Sequence, residues 1–93
     1  MKTGINAILI HEDDNVVTVL VDIEKDDVVV FQKGDEIITL NVIDKIPVYH
    51  KTAVTDLKKG TAVLKYGQVI GKAIAEITRG SHVHDHNILS PDI

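Results

Sequence analysis

Ala53-Val54-Thr55-Asp56-Leu57-Lys58-Lys59-Gly60-Thr61-Ala62-Val63 is answered twenty positions later by Ala73-Ile74-Ala75-Glu76-Ile77-Thr78-Arg79-Gly80-Ser81-His82-Val83. Both stretches follow one pattern: Ala, an apolar residue, any residue, an acid, an aliphatic residue, any residue, a base, Gly, two variable positions and Val. The pattern describes a strand that ends at a buried Leu or Ile, turns through a residue with positive φ, and returns as a strand whose Val faces the same core. A weaker copy runs from Val19 through Asp22, Ile23 and Asp26 to Val29. It places Asp26, one of the few non-glycine types that tolerates positive φ, in the glycine slot. A unit this short cannot bury a face alone, so the copies are expected to pack on one another as long bent hairpins with internal pseudo-symmetry.

The rest of the chain repeats the same chemistry. Short Val- and Ile-rich runs separated by Gly, Asp and Asn read as strands near 5–10, 15–22, 27–31, 36–43, 45–51, 61–66, 68–76 and 81–86. No window keeps a 3.6-residue apolar period over three turns, so helix is limited to a single turn at most. The expectation is an all-β fold occupying residues 1–93 as one domain.

Composition excludes several classes of function. Ten basic residues are scattered among fourteen acidic ones for a net charge of −4, and only Phe31, Tyr49 and Tyr66 are aromatic. Nucleic acid is therefore not an expected partner, since neither a basic stripe nor a stacking platform is present. The absence of cysteine removes disulfides, thiolate metal sites and thiol nucleophiles, and any metal must take His, Asp or Glu. The longest apolar run near the start, Ala7 to Ile10, is too short for a signal segment or a membrane span, which points to a soluble, unprocessed, cytoplasmic protein. No Gly-x-Ser-x-Gly elbow or phosphate loop occurs, and Gly67 and Gly71 read as a hairpin turn after Tyr66 and a close backbone contact.

The candidate chemistry lies in the histidines. His82, His84 and His86 alternate, so on a strand they share one face about 6.5–7 Å apart while Val83 points into the core. Two imidazoles at that spacing can converge on one metal, and a third in line does not reach the same ion. The alternatives are a substrate or interface contact and a plain polar surface. His50-Lys51 follows Pro47 near a strand end, where a cation and a neighbouring imidazole can hold a carboxylate and exchange protons. His11, Asp14 and Asn15 form a further polar cluster in which Asx residues favour turns. The runs Glu12-Asp13-Asp14 and Glu24-Lys25-Asp26-Asp27 read as solvated turns.

The run Ile46-Pro47-x-x-His50-Lys51-x-Ala53-x-x-Asp56-Leu57-x-x-Gly60-x-x-Val63-x-Lys65-Tyr66-Gly67-x-x-Ile70-Gly71-x-Ala73 carries a family resemblance. With Gly80-x-His82-Val83-His84-x-His86-Asn87 and the opening Ile10-His11-x-x-Asp14-Asn15-Val16, it resembles the SAF domain of the altronate dehydratase family. The resemblance implies a β-clip fold and a small accessory subunit of a sugar-acid hydro-lyase, inactive alone and completed by a separate large dehydratase subunit. A chain ending six residues after Asn87 looks like that separate form. The substrate implied is an aldonate or aldarate such as altronate, converted to a 2-keto-3-deoxy acid. The resemblance also implies a divalent metal, iron or manganese, held mainly by the large subunit. On this reading His50 and His84 are the expected catalytic residues, and Lys51, Asn15, His86 and Asn87 the substrate-binding ones. His82 and His84 are the expected metal ligands on this subunit. The alternatives are a non-catalytic SAF binding module, the small subunit of a sulfolactate sulfo-lyase, and a structural SAF domain. A docking face left bare would make the isolated domain a homo-oligomer. Two departures stand out: Tyr49 replaces the glycine that usually precedes His-Lys, and 26–44 diverges, so no functional residue is carried onto it.

Overall fold

A computed structural model of the chain describes residues 4–89, so the ends of the expected 1–93 span lie outside the described residues. Among the described residues there is no helix and there are nine strands: β1 (Ala7–Ile8), β2 (Val16–Val19), β3 (Val28–Lys33), β4 (Glu36–Asn41), β5 (Lys51–Ala53), β6 (Ala62–Lys65), β7 (Gln68–Ala73), β8 (His82–Val83) and β9 (Ile88–Leu89). They form three antiparallel sheets, ordered β1-β2-β5-β8, β3-β4 and β6-β7-β9. In the two long ribbons, β3-β4 and β6-β7, a two-residue turn sets the register.

Two of the expected strands are corrected. The stretch 45–51 is not a strand: only Ile46 pairs, as an isolated bridge to Ile23, before the chain turns at Pro47–Tyr49 and β5 starts at Lys51. Proline has no N–H to give a ladder, and Tyr49 adopts a φ of 67°, which ends extended structure. The stretch 81–86 pairs only at His82 and Val83, because β5 offers no further partner and the chain turns at His84–Asn87.

The repeat is larger than the sequence pattern showed. The twenty-residue offset relates the two legs of a single unit, which meet at the bridge between Leu57 and Ile77 through reciprocal N–H···O=C bonds of 2.7 and 2.8 Å. A second unit closes identically at Ile23 and Ile46, with both bonds at 2.9 Å. The units then match bond for bond. Asp26 N–H donates to Val42 C=O as Gly60 N–H does to Ala73 C=O, and Tyr49 N–H donates to Val19 C=O as Gly80 N–H does to Ala53 C=O. Val19 N–H donates to His50 C=O as Ala53 N–H does to Ser81 C=O. Asp22 accepts from Val48 N–H and Asp56 from Arg79 N–H, each at 2.8 Å. The four turns carry positive φ at Asp26 (70°), Tyr49 (67°), Gly60 (91°) and Gly80 (89°). The fourth leg, Lys45 to Tyr49, escaped sequence comparison because it carries Lys for the acid and Tyr for the glycine.

Each unit has its own core. Val17, Val19, Ile23, Val29, Phe31, Leu40, Val42 and Ile46 fill the first, and Val16, Ala53, Leu57, Val63, Ala73, Ile77 and Val83 the second. Asp14, almost fully buried, ties the β6-β7 ribbon to the segment before β2. Its carboxylate accepts from the backbone N–H groups of His11, Tyr66 and Gly67 at 2.8–3.1 Å. That locks the Tyr66-Gly67 turn, where both residues have positive φ (60° and 69°), in the type I′ geometry that matches strand twist.

Gly80 and Gly60 share a backbone conformation but not surroundings. A Cβ at Gly80 points onto the Asn41 carbonyl, whereas one at Gly60 meets nothing within 4 Å. Gly60→Ala is therefore expected to cost only the left-handed strain of about 1–2 kcal/mol. Gly80→Ala adds a clash with backbone that cannot move aside, for a loss of about 4 kcal/mol or more. Urea denaturation of the two variants checks the difference, and equal losses would contradict the assignment of Asn41 as the obstacle.

Candidate metal and substrate site

The left-handed turn at Tyr49 delivers His50 and Lys51 to β5, and the matching turn at Gly80 delivers Ser81 and His82 to β8. Since β5 pairs with β8 (Lys51 with Val83, Thr52 with His82), residues 32 positions apart come together. His50 Nδ1 lies 2.8 Å from His82 Nε2. The His84 ring stacks on His50 with centroids 4.1 Å apart, and the three residues offer one nitrogen each within 4.8 Å of one another. His82 and His84 are thus accompanied by His50, a partner from outside the histidine run. His86 leaves the row: the turn folds it back, exposed and tilted against His82 at 5.1 Å.

The turn is built by Asn87. Its Oδ1 accepts from His84 N–H at 2.9 Å and its Nδ2 donates to His82 C=O at 2.8 Å, while its own N–H donates to His84 C=O. Both ends of the amide are spent on the backbone that holds the histidines. Asp44, which sequence reasoning missed, braces the other side by accepting from His82 N–H at 3.0 Å. Asn15 sits elsewhere. Its side chain accepts from Leu64 N–H at 2.8 Å and donates to Ala62 C=O at 2.9 Å, stitching the start of β2 to β6, and it borders a groove that no histidine of the cluster lines.

Lys51 opens β5, with Thr18 and Val83 as its cross-strand neighbours. Half-buried, it has its pKa lowered by burial and then by Lys65, against the opposing charge of Asp85. Lys65 and Asp85 are also residues that sequence reasoning did not select, because nothing in their spacing links them to Lys51. Among the described residues two buried side-chain polar atoms lack a hydrogen-bond partner, His84 Nδ1 and Thr18 Oγ1. One belongs to the imidazole cluster just past β8 and the other is the cross-strand neighbour of Lys51 on β2, and an unpaired buried polar atom costs roughly 1–3 kcal/mol unless something fills its valence.

Two members of the cluster, His82 and His50, are held toward the neutral form. The pKa of His82 is lowered to about 4, first by burial and then by the neighbouring imidazoles of His86, His50 and His84, with Asp44 opposing. His50 is lowered as well, by burial, then by His84 and Lys51. Neutral imidazoles keep their lone pairs, which is the state a metal requires.

This repeat-built, all-β chain is a SAF-type domain. More particularly, the chain belongs to the altronate/galactarate dehydratase SAF domain family, whose model matches residues 5–91. It is 41% identical over 80 residues to altronate dehydratase of Escherichia coli (strain K12), covering 86% of this chain and 15% of the relative. It is 37% identical over 84 residues to altronate dehydratase of Bacillus subtilis (strain 168), again covering 86% and 15%. Against (2R)-sulfolactate sulfo-lyase subunit alpha of Chromohalobacter salexigens it is 41% identical over 54 residues, covering 58% of this chain and 57% of the relative. The chain thus spans about 15% of the length of the altronate dehydratases it matches. None of the described helices is long and apolar enough to cross a membrane, there being no helix.

The imidazole cluster makes stability depend on pH in a defined direction. In the metal-free protein the unfolded chain protonates His82 near 6.5, whereas the folded chain resists until about 4. Between those values the unfolded state binds more protons, so this residue makes the fold lose stability as pH falls from about 6.5 to about 4. Proton NMR should place the His82 midpoint near 4. Replacing His82 with Gln should flatten the pH dependence of urea denaturation in that window, and an unchanged slope would refute the account.

Proposed function

We propose that this chain supplies the imidazole-bearing part of a hydro-lyase active site that acts on a sugar acid, an aldonate or aldarate such as altronate, and that a large dehydratase chain completes it. The observation that carries the reading is the convergence of His50, His82 and His84 within 4.8 Å, with the His84 Nδ1 buried and unpartnered. The dehydratase and sulfo-lyase names of the relatives support the reaction class.

The donor set fits a divalent metal. Ligands at bond lengths of about 2.0–2.1 Å sit about 3.3 Å apart around a tetrahedral ion, and the three nitrogens lie within 4.8 Å before any rotamer adjusts. An all-imidazole set suits iron better than manganese, which prefers oxygen ligands. On this reading His50 joins the pair His82 and His84 as a third ligand, and the large chain provides the rest. When bound, the ion would stabilise the negative charge that develops on the substrate carboxylate as the α-proton leaves. Metal and proton compete for the lone pairs of His50 and His82, which share a hydrogen bond in the metal-free site.

The remaining residues bind and move protons. Lys51, with Lys65 nearby and the Thr18 hydroxyl as cross-strand neighbour, offers a cationic seat for the substrate carboxylate. Exposed His86, on the turn that carries His84, is free to exchange protons with a substrate hydroxyl. The second reading is a sulfo-lyase subunit, favoured by the 57% of the sulfolactate sulfo-lyase subunit alpha that this chain covers.

The isolated chain is expected to show no turnover of any aldonate or aldarate, and robust activity without a partner would end the accessory-subunit reading. In a complex with a large chain, His84→Ala should preserve folding and assembly and lower turnover by ~10²-fold or more. Raised iron(II) should restore part of that activity. Cobalt(II) titration followed by its visible absorption should show affinity lost in each of His50→Ala, His82→Ala and His84→Ala. Sulfite release from sulfolactate in place of dehydration would select the second reading.

A further inference from the structure

The two units differ at one place. In the second, the outer edge of β7 is covered by β9, which pairs Lys72 with Leu89 and Ala73 with Ile88, and the Ile74 N–H donates to Asn87 C=O. In the first, the matching bond runs from Ile43 N–H to Gly80 C=O, but the chain then leaves for β8 and nothing continues along β4. The slot that β9 fills on one ribbon is open on the other among the described residues.

The ladder shows which groups the open edge presents. Val42 N–H donates to Asp27 C=O, so in the alternating antiparallel pattern Leu40 and Ile38 bond inward to β3 while Ile37, Thr39 and Asn41 turn their N–H and C=O groups outward. None of those three makes a backbone hydrogen bond away from β3 among the described residues. Edge strands are ordinarily protected by lysine, proline, a bulge or shortness. β4 has six residues, and over Ile37-Ile38-Thr39-Leu40-Asn41 there is no charge, no proline and no break in register. Ile37 is 57% exposed on it.

We propose that β4 is a dimerisation edge that pairs antiparallel with β4 of a second copy of this chain. A second copy fits because the edge is complementary to itself. Gly80 crowds the Asn41 carbonyl, so the register that stays clear of it places the two-fold axis at Ile38. Ile37 of each copy then faces Thr39 of the other in reciprocal hydrogen-bonded pairs, Ile38 faces Ile38, and Glu36 faces Leu40. No like charges meet. A two-fold of this kind consumes both edges, so assembly stops at the dimer. The histidine cluster lies past the opposite end of β4, beyond Asp44, and stays accessible in the dimer.

Sedimentation velocity of the full chain from low micromolar to millimolar concentration tests the proposal. A monomer–dimer equilibrium is expected, with the amides of Ile37 and Thr39 protected from hydrogen exchange in concentrated samples and exposed on dilution. Thr39→Pro removes one outward N–H without touching the β3-β4 ladder and should weaken dimerisation at least tenfold. Ile37→Lys places the usual protecting charge on the edge and should do the same, so the test survives if the proline variant fails to fold. A monomer throughout the concentration range overturns the proposal. So does a dimer that both folded variants leave unchanged, since its contact then lies elsewhere.

Discussion

Four reciprocal hydrogen bonds, two at Ile23–Ile46 and two at Leu57–Ile77, hold the legs of this fold together, each beside a turn that the chain must make through positive φ. The bridges bury four aliphatic side chains at 0–3% exposure, where unpaired backbone groups would be costly, so the legs cannot separate without exposing both. Every longer element hangs on these points. The ribbons leave from one side of each bridge, and strands β2, β5 and β8 from the other. Tyr49 shows how strict the constraint is, because a tyrosine is held at φ 67° where its sister positions hold Gly60, Gly80 and Asp26. The residue is 70% exposed, so packing does not explain its presence.

The same constraint makes the site. β5 is at once the last strand of the first unit and the first strand of the second, so its start and the start of β8 are matching positions of successive units. The repeat brings those positions together as neighbours in one sheet. Histidine at His50 and His82 turns a structural junction into a pair of imidazoles 2.8 Å apart, and the Asn87 turn adds His84. The repeat forms the scaffold, and the candidate site residues are ones that break it: the units have His50 against Ser81, and Lys51 against His82.

Charge is used sparingly. Burial and neighbouring imidazoles push His82 and His50 toward the neutral form, and Lys51 is pushed in the same direction by burial and Lys65. Such groups are stable when an anion or a metal sits among them and uncomfortable otherwise, in keeping with a site open to a ligand. The buried carboxylate of Asp14 and the amides of Asn15 and Asn87 are satisfied by backbone groups, which separates architectural polar residues from those left with unfilled valences.

The sequence alone determined the all-β class, the turn after each acid-aliphatic pair and the use of Asp26 as a glycine substitute. Those are local matters of β-branched composition, side-chain size and allowed φ, readable within ten residues. It also displayed the histidine run, but not its geometry. Alternation along a strand holds only while a neighbouring strand supplies partners, and here pairing ends at Val83, so His86 falls out of line. His50 could be singled out from its Lys neighbour, yet its place beside His82 follows from β5 pairing with β8 across 31 intervening residues, which no local pattern encodes. The fourth leg was hidden for the converse reason. Backbone hydrogen bonds impose the same φ on Tyr49 as on Gly80 whatever the side chain, and only the tertiary structure shows that the two positions are the same.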